Sequence, residues 1–207
     1  MLPFEPENKS RAHLVSRECH DTLSSSIVAA VMTNAYLNTN NALNENEDID
    51  AKSSGTTATS LFVTKNGLHV ANVGDSRCLL VSYPKKNGPP EYSVLTNDHS
   101  PDREDEQERI KAHGGVIMPS DQYDVDDDQV FSFEPIRVWS EEGKWPGTAF
   151  TRSIGDIKAK ELGVCADPEC SMVPMPDNDS ILYWAVTESL IFERRDLHYC
   201  ELLSRSR

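Results

Sequence analysis

The sequence predicts a mixed α/β (α+β) domain in which antiparallel sheet and helices share a core, and three observations predict it. First, Lys65-Asn66-Gly67 separates two short apolar runs, Thr57–Thr64 and Leu68–Val73. Asn-Gly in that setting is a strong hairpin signal, because both central residues of the tight turn need positive φ. Second, these runs and the next one, Cys78–Ser82, are apolar on both parities, so both sheet faces should be covered. Third, Leu23, Ile27, Val31 and Ala35 recur at four-residue spacing, the mark of an amphipathic helix packed on something.

Taken in order, residues 1–20 are polar and carry no period. The helix follows over Leu23–Leu37 with Asp21 as N-cap, and the Asn- and acid-rich stretch at 38–52 reads as its frayed end and a loop. Gly74-Asp75-Ser76-Arg77 makes a second tight break, so residues 56–82 are expected to form a three-stranded antiparallel meander that buries Leu61, Val63, Val70 and Leu80. After a loop at 84–90 comes a short strand, Tyr92–Leu95. Pro101 and Asp102 open a second helix, Asp102 as its cap. Asp105 and Arg109 form an i, i+4 pair within it, Ile110 docks it, and Gly114-Gly115 ends it. The acidic run at 124–128 lacks the glycine and the closing glutamate of a calcium-binding loop and reads as a solvated loop. A short helix over Ile157–Leu162 stops at Gly163, Ile181–Val186 is a last apolar strand, and 194–207 is a charged tail.

The chain has 207 residues, enough for one domain with a real core, and a net charge of −14. Such a charge disfavours nucleic acid and anionic membranes as partners. No apolar run approaches the ~20 residues of a membrane span, and the first residues lack the pattern of a signal peptide. Five scattered cysteines without CxxC spacing read as free thiols in a reducing compartment. A soluble intracellular protein is expected.

The order of four blocks carries a resemblance. SGTTA followed by the hairpin and VANVGDSR, then LTNDHSPDREDEQERIKAHGG at 95–115, PGTAFTRSIGD at 146–156 and GVCADPE at 163–169 resemble the metal-dependent serine/threonine protein phosphatases of type 2C, the PPM family. The resemblance covers roughly residues 20 to 193, with a partial domain over 21–193 between the polar start and the charged tail. It implies a sandwich of two antiparallel sheets flanked by helices. It also implies hydrolysis of phosphoserine and phosphothreonine in phosphoproteins by a water bridging two Mg²⁺ or Mn²⁺ ions.

The family draws its metal ligands from an early acidic segment, an Asp-Gly-His-Gly-Gly segment, a late Asp-Gly after a strand, and a closing Asp-Asn. An early Arg holds phosphate, and the His of Asp-Gly-His serves as acid. This chain contains no Asp-Gly dipeptide. Against the family pattern the chain begins after the early segments and ends before the closing one. Thr187 and Glu188 fall where the late Asp-Gly belongs, and a one-residue shift puts Glu188 at the Asp. Asp98 matches the Asp that binds a further, weaker metal; from the residues alone it also reads as a strand-end Asp that caps the helix starting at Pro101. Asp98 and Glu188 are therefore the candidate metal ligands, expected on the same sheet edge, with no catalytic residue assigned. Asp75 and Arg77 read as turn and ion-pair residues, Asp156 as a turn residue satisfying backbone donors, and Arg152 as part of a site floor or a structural ion pair. His99 and His113 read as surface histidines. Three readings compete: a working phosphatase with substituted ligands, a pseudophosphatase that binds protein, and part of a longer enzyme. An inactive chain is expected.

Overall fold

The computed structural model describes residues 24–82, 89, 91–119, 135–174 and 180–185. The expectations for the N-terminal segment, Asp21, the acidic run at 124–128, Thr187, Glu188 and the tail lie outside these residues.

Helix α1 runs over Ser25–Glu45 with Ser24 at its N-cap. It continues eight residues beyond the expected end, through residues of poor helix propensity, because tertiary contacts hold them. The Asn40 side chain accepts a hydrogen bond from the Gly155 amide at 3.1 Å, and Leu43 packs against the core. The packed face also differs from the expectation. Val28, Tyr36 and Asn40 are buried, whereas Ile27 and Val31 are 50% and 62% exposed. The two stripes share four-residue spacing and lie one position apart. Tyr36 decides between them: its hydroxyl donates to the Ala71 carbonyl and meets Ser60 Oγ, both at 2.9 Å.

β1 is Gly55–Thr56, β2 Ala58–Thr64 and β3 Gly67–Val73. β2 and β3 form the expected hairpin around Asn66-Gly67, with Thr64 opposite Gly67. The expected three-stranded meander does not form. β4, Arg77–Ser82, leaves for another sheet, pairing with β5 (Glu91–Val94) and β11 (Ser180–Ala185), while β3 takes β10 (Glu169–Pro174) as its second neighbour. The reason lies in Gly74. Its amide donates to His99 Nδ1 at 3.1 Å, and its carbonyl accepts from the His99 amide and Asn72 Nδ2, each at 3.0 Å. A backbone so committed to the segment after β5 crosses between sheets instead of turning a hairpin. Gly74 also has φ +98, and a Cβ there would stand 2.3 Å from Thr57 Cγ2, so only glycine makes this crossing without strain.

β3 is buried along its whole length, as its two-parity apolar pattern requires. Val70 and Leu80 are buried as expected, but Val63 is 56% exposed and Leu61 half-buried. Among the described strands β2 is the outer member of its sheet, which leaves its far end with less to pack on.

α2 is Glu104–Ala112, with Arg103 and not Asp102 at its N-cap position and no side-chain cap. Asp105 pairs backwards with Arg103, and Arg109 pairs with Glu106, so the expected Asp105–Arg109 pair is absent. A third sheet joins β6 (Val116–Pro119), β7 (Ile136–Trp139) and β8 (Pro146–Thr148). β9, Ile154–Gly155, pairs with β1, and α3 spans Ile157–Lys160.

Two apolar clusters result. Tyr36, Ala71, Val73, Ile154 and Ala166 lock α1 onto the β10-β3-β2 sheet. Ile110, Val138, Ala159, Leu162 and Val164 gather α2, α3 and β7. The fold class is the expected mixture of antiparallel sheets and helices. No helix among the described residues is long and apolar enough to cross a membrane.

Candidate functional site

Asp98 follows β5, where the chain is still held to the start of β4: the Leu95 amide donates to the Cys78 carbonyl at 2.8 Å and the Cys78 amide to Thr96 Oγ1 at 3.0 Å. That frame brings Asp98 beside Arg77, the first residue of β4. Arg77 Nε donates to Asp98 Oδ1 at 2.8 Å and to Oδ2 at 3.0 Å, and Nη2 donates to Oδ2 at 2.6 Å. The Asp98 hydrogen bonds are the chief cause that raises the Arg77 guanidinium above its ordinary value, with the Asp98 and Asp75 charges adding to them. Arg77 is the ion-pair residue that the sequence suggests. Its partner is the residue that the resemblance offers as a metal ligand.

His99, next in the chain, is fully buried and not a surface residue. Its Nδ1 lies 3.1 Å from both the Gly74 amide and the Gly74 carbonyl, and its Nε2 3.3 Å from Glu169 Oε2. Burial, followed by the Arg152 charge, pushes His99 down to about 4 against the pull of Glu106 and Glu169, so the ring is neutral at pH 7. His113 is exposed, as expected, and its Nδ1 lies 2.8 Å from the Arg109 carbonyl.

Behind His99 lies a cluster that the sequence does not foretell. Glu106, on α2, is fully buried. Its Oε1 accepts from Arg109 Nη1 and Arg152 Nη2, both at 2.7 Å, and from Arg152 Nε at 3.1 Å. Its Oε2 accepts from Arg109 Nη2 at 2.5 Å and from the Thr151 hydroxyl. The arginines are satisfied in turn: Arg109 donates to the Gly163 and Thr151 carbonyls, and Arg152 to that of Asp167. Burial alone would raise the Glu106 carboxyl, but Arg109, Arg152 and Thr151 hold it well below the usual carboxylate range. Of the two roles that the sequence leaves open for Arg152, this is the structural ion pair. The available signal is the spacing of Glu106, Arg109 and Ile110, which places all three on one helical face.

Asp156 sits at the head of α3 with φ 49 and makes no side-chain cap. Contrary to the expectation, its carboxylate does not satisfy backbone donors: Oδ2 is buried without a hydrogen-bond partner. Gly55 makes room for it, since a Cβ there would stand 2.0 Å from that oxygen. The Lys160 ammonium donates to the Ser153 and Gly155 carbonyls at 3.1 and 2.6 Å. Burial lowers it, partly offset by the Asp156 charge. Among the described residues Cys78, Cys165 and Cys170 are free thiols.

The described residues do not fit a di-metal centre. Such a centre needs several carboxylates converging on hard cations, and both oxygens of Asp98 are taken by one guanidinium. Among the described residues no three His, Cys, Asp or Glu side chains are grouped to hold a metal ion. Glu106 is buried and both its oxygens are paired with Arg109, Arg152 and Thr151, so the cluster supports the fold and offers no base or nucleophile.

The family model for protein phosphatase 2C matches residues 7–185. The probable protein phosphatase 2C 35 of Arabidopsis thaliana is 39% identical over 168 residues, which is 77% of this chain and 47% of that protein. The mitochondrial protein phosphatase 1K of Xenopus laevis is 30% identical over 185 residues, 84% of this chain and 42% of that protein. The chain thus spans less than half the length of these relatives. Among solved structures, a serine-threonine phosphatase 2C from Toxoplasma gondii matches with a TM-score of 0.60 at 19% identity, covering 76% of this chain and 50% of that one. At that identity the likeness speaks for the fold alone. With a family model matching most of its length, the chain belongs to the protein phosphatase 2C family.

Proposed function

We propose that this chain carries scaffold of a metal-dependent protein serine/threonine phosphatase, with residues 21–193 as its domain, and that by itself it does not hydrolyse phosphoproteins. The observation behind this reading is the Arg77–Asp98 pair. Asp98 is the one described residue that matches a family metal ligand, and its carboxylate is engaged by a guanidinium at 2.6–3.0 Å. Two Mg²⁺ or Mn²⁺ ions, when held, would supply a water of lowered pKa and clamp the phosphoryl oxygens. Asp98 and Glu188 together are too few carboxylates for two ions. A net charge of −14 weighs against nucleic acid and anionic membranes as partners, family membership supports a phosphoprotein, and scattered cysteines support an intracellular setting. The second reading is a pseudophosphatase that binds protein without turnover; Phe62 and Val63, 42% and 56% exposed on β2, favour it.

The test is release of phosphate from a phosphothreonine peptide in Mn²⁺ or Mg²⁺, with and without chelator. No chelator-sensitive turnover is expected, and Thr187→Asp alone does not restore any. Chelator-sensitive turnover that disappears in Asp98→Ala would sink the proposal.

A further inference from the structure

We propose that Arg77 serves as a built-in counter-cation that holds both oxygens of Asp98 and keeps divalent ions off that carboxylate. The inference rests on the phosphatase-scaffold reading and sharpens it: the carboxylate is present, accessible and already neutralised. Its accessibility is what makes the pair contestable, because the Asp98 side chain is 23% exposed and that of Arg77 39%. Water and ions can reach the pair, so its occupancy is set by competition and not by burial.

Three features favour the guanidinium in that competition. The fork is bidentate, with Nε and Nη2 both donating, which is the strong geometry for an arginine–carboxylate pair. Both partners are fixed by backbone: Arg77 opens β4, and the segment around Asp98 is tied to it by hydrogen bonds at Leu95, Cys78 and His99. Little reorganisation is therefore needed to form the pair. The competing ion, in contrast, gains a single carboxylate, and Mg²⁺ sheds its water reluctantly. Arg77 also sits in the field of Asp75. Removing its charge leaves Asp98 without the cation that offsets it, which turns a guarded carboxylate into an attractive one.

The experiment is Mn²⁺ titration of the ¹⁵N-labelled full chain, followed by paramagnetic broadening of amide resonances. In the wild type, the amides of residues 97–99 and 75–78 are expected to stay as sharp as those of remote residues. In Arg77→Met they are expected to broaden selectively, with an apparent Mn²⁺ affinity at least about tenfold higher, the effect of removing one unit charge a few ångströms from a divalent ion. Adding Asp98→Asn to that variant should abolish the broadening. If the methionine variant does not fold, Arg77→Lys decides. An ammonium keeps the charge but cannot fork across both oxygens. In this variant, amides at 97–99 that stay nearly as sharp as in wild type support the proposal, and broadening as strong as expected for loss of the charge overturns it. Selective broadening at residues 97–99 in the wild type that is lost in Asp98→Asn also overturns it, as does a folded Arg77→Met protein without broadening. Phosphate release is a separate readout. Turnover with sharp wild-type amides at 97–99 would overturn the functional reading and leave this inference standing.

Discussion

Two arginine–carboxylate sites lie close together in this chain, and they differ in everything but their chemistry. At Asp98 one guanidinium meets one carboxylate, both partly open to water. At Glu106 two guanidiniums and a hydroxyl close on a carboxylate with no exposure. An exposed pair exchanges one set of hydrogen bonds for water's and contributes little. A buried carboxylate has no such exchange available, so removing its partners, or removing it from them, leaves charge in a low dielectric. The first site is therefore a place where occupancy can be contested. The second is a joint that fixes α2 against the segment from Thr151 to Gly163.

The largest effect that should separate the two is Glu106→Ala. It leaves Arg109 and Arg152, whose side chains are 24% and 14% exposed, without the carboxylate they share. Because water reaches them in part, the loss is expected toward the lower end of the about 3–5 kcal/mol of a broken buried pair, still a large part of a typical domain's ~5–15 kcal/mol. Urea denaturation measures it, and a loss under about 1 kcal/mol, the range of an exposed pair, would mean that Glu106 does not hold α2 in place.

Acid should act on the buried site in two steps. The folded-state value of His99 lies at about 4, below its ordinary 6.5, so between those values the unfolded chain binds a proton that the folded chain refuses. Stability therefore falls as pH drops through that window. Glu106 is also depressed in the folded state. Its contribution is complete above the ordinary value of 4.5 and is lost as pH falls below it. Denaturation midpoints measured from about pH 7 to about pH 4 should decline, and in His99→Gln the decline above about pH 5 should shrink. An unchanged slope would mean that His99 is not the titrating group.

What the sequence reveals depends on how far apart the determinants lie. Asn66-Gly67 carries its turn within itself, and the hairpin appears where expected. Gly74 looks like another local break, yet its conformation answers to His99, 25 residues away, and only the folded chain shows that it crosses between sheets. The buried face of α1 is hidden from the sequence for a similar reason. Ile27 and Val31 outrank Tyr36 in hydrophobicity, but the Tyr36 hydroxyl finds Ala71 and Ser60 in the sheet beneath. Glu106 sits in a run of charges whose obvious reading is a solvated face. Its burial depends on Arg152 and Thr151, which lie more than 40 residues further along the chain. The order of four motif blocks is legible in advance because it needs no three-dimensional partner. Asp98 is legible as an acidic residue in the right place, but its bond to Arg77 is not.

The exposed site should respond mildly. Arg77→Ala and Asp98→Ala should each cost about 1 kcal/mol, the upper end for accessible pairs, and the double variant should cost little more than either. A coupling near zero in that cycle would mean that the bidentate contact contributes nothing in solution.

The most direct test of the central claim, that a guanidinium and not a metal ion satisfies Asp98, is the melting temperature of the full chain with and without saturating Mn²⁺. A ligand that binds only the folded state must raise it. The wild type is expected to melt at the same temperature in Mn²⁺ and in chelator, and a rise with Mn²⁺ is expected once Arg77 is replaced by Met. A wild-type rise with Mn²⁺ that vanishes in Asp98→Asn would contradict the claim.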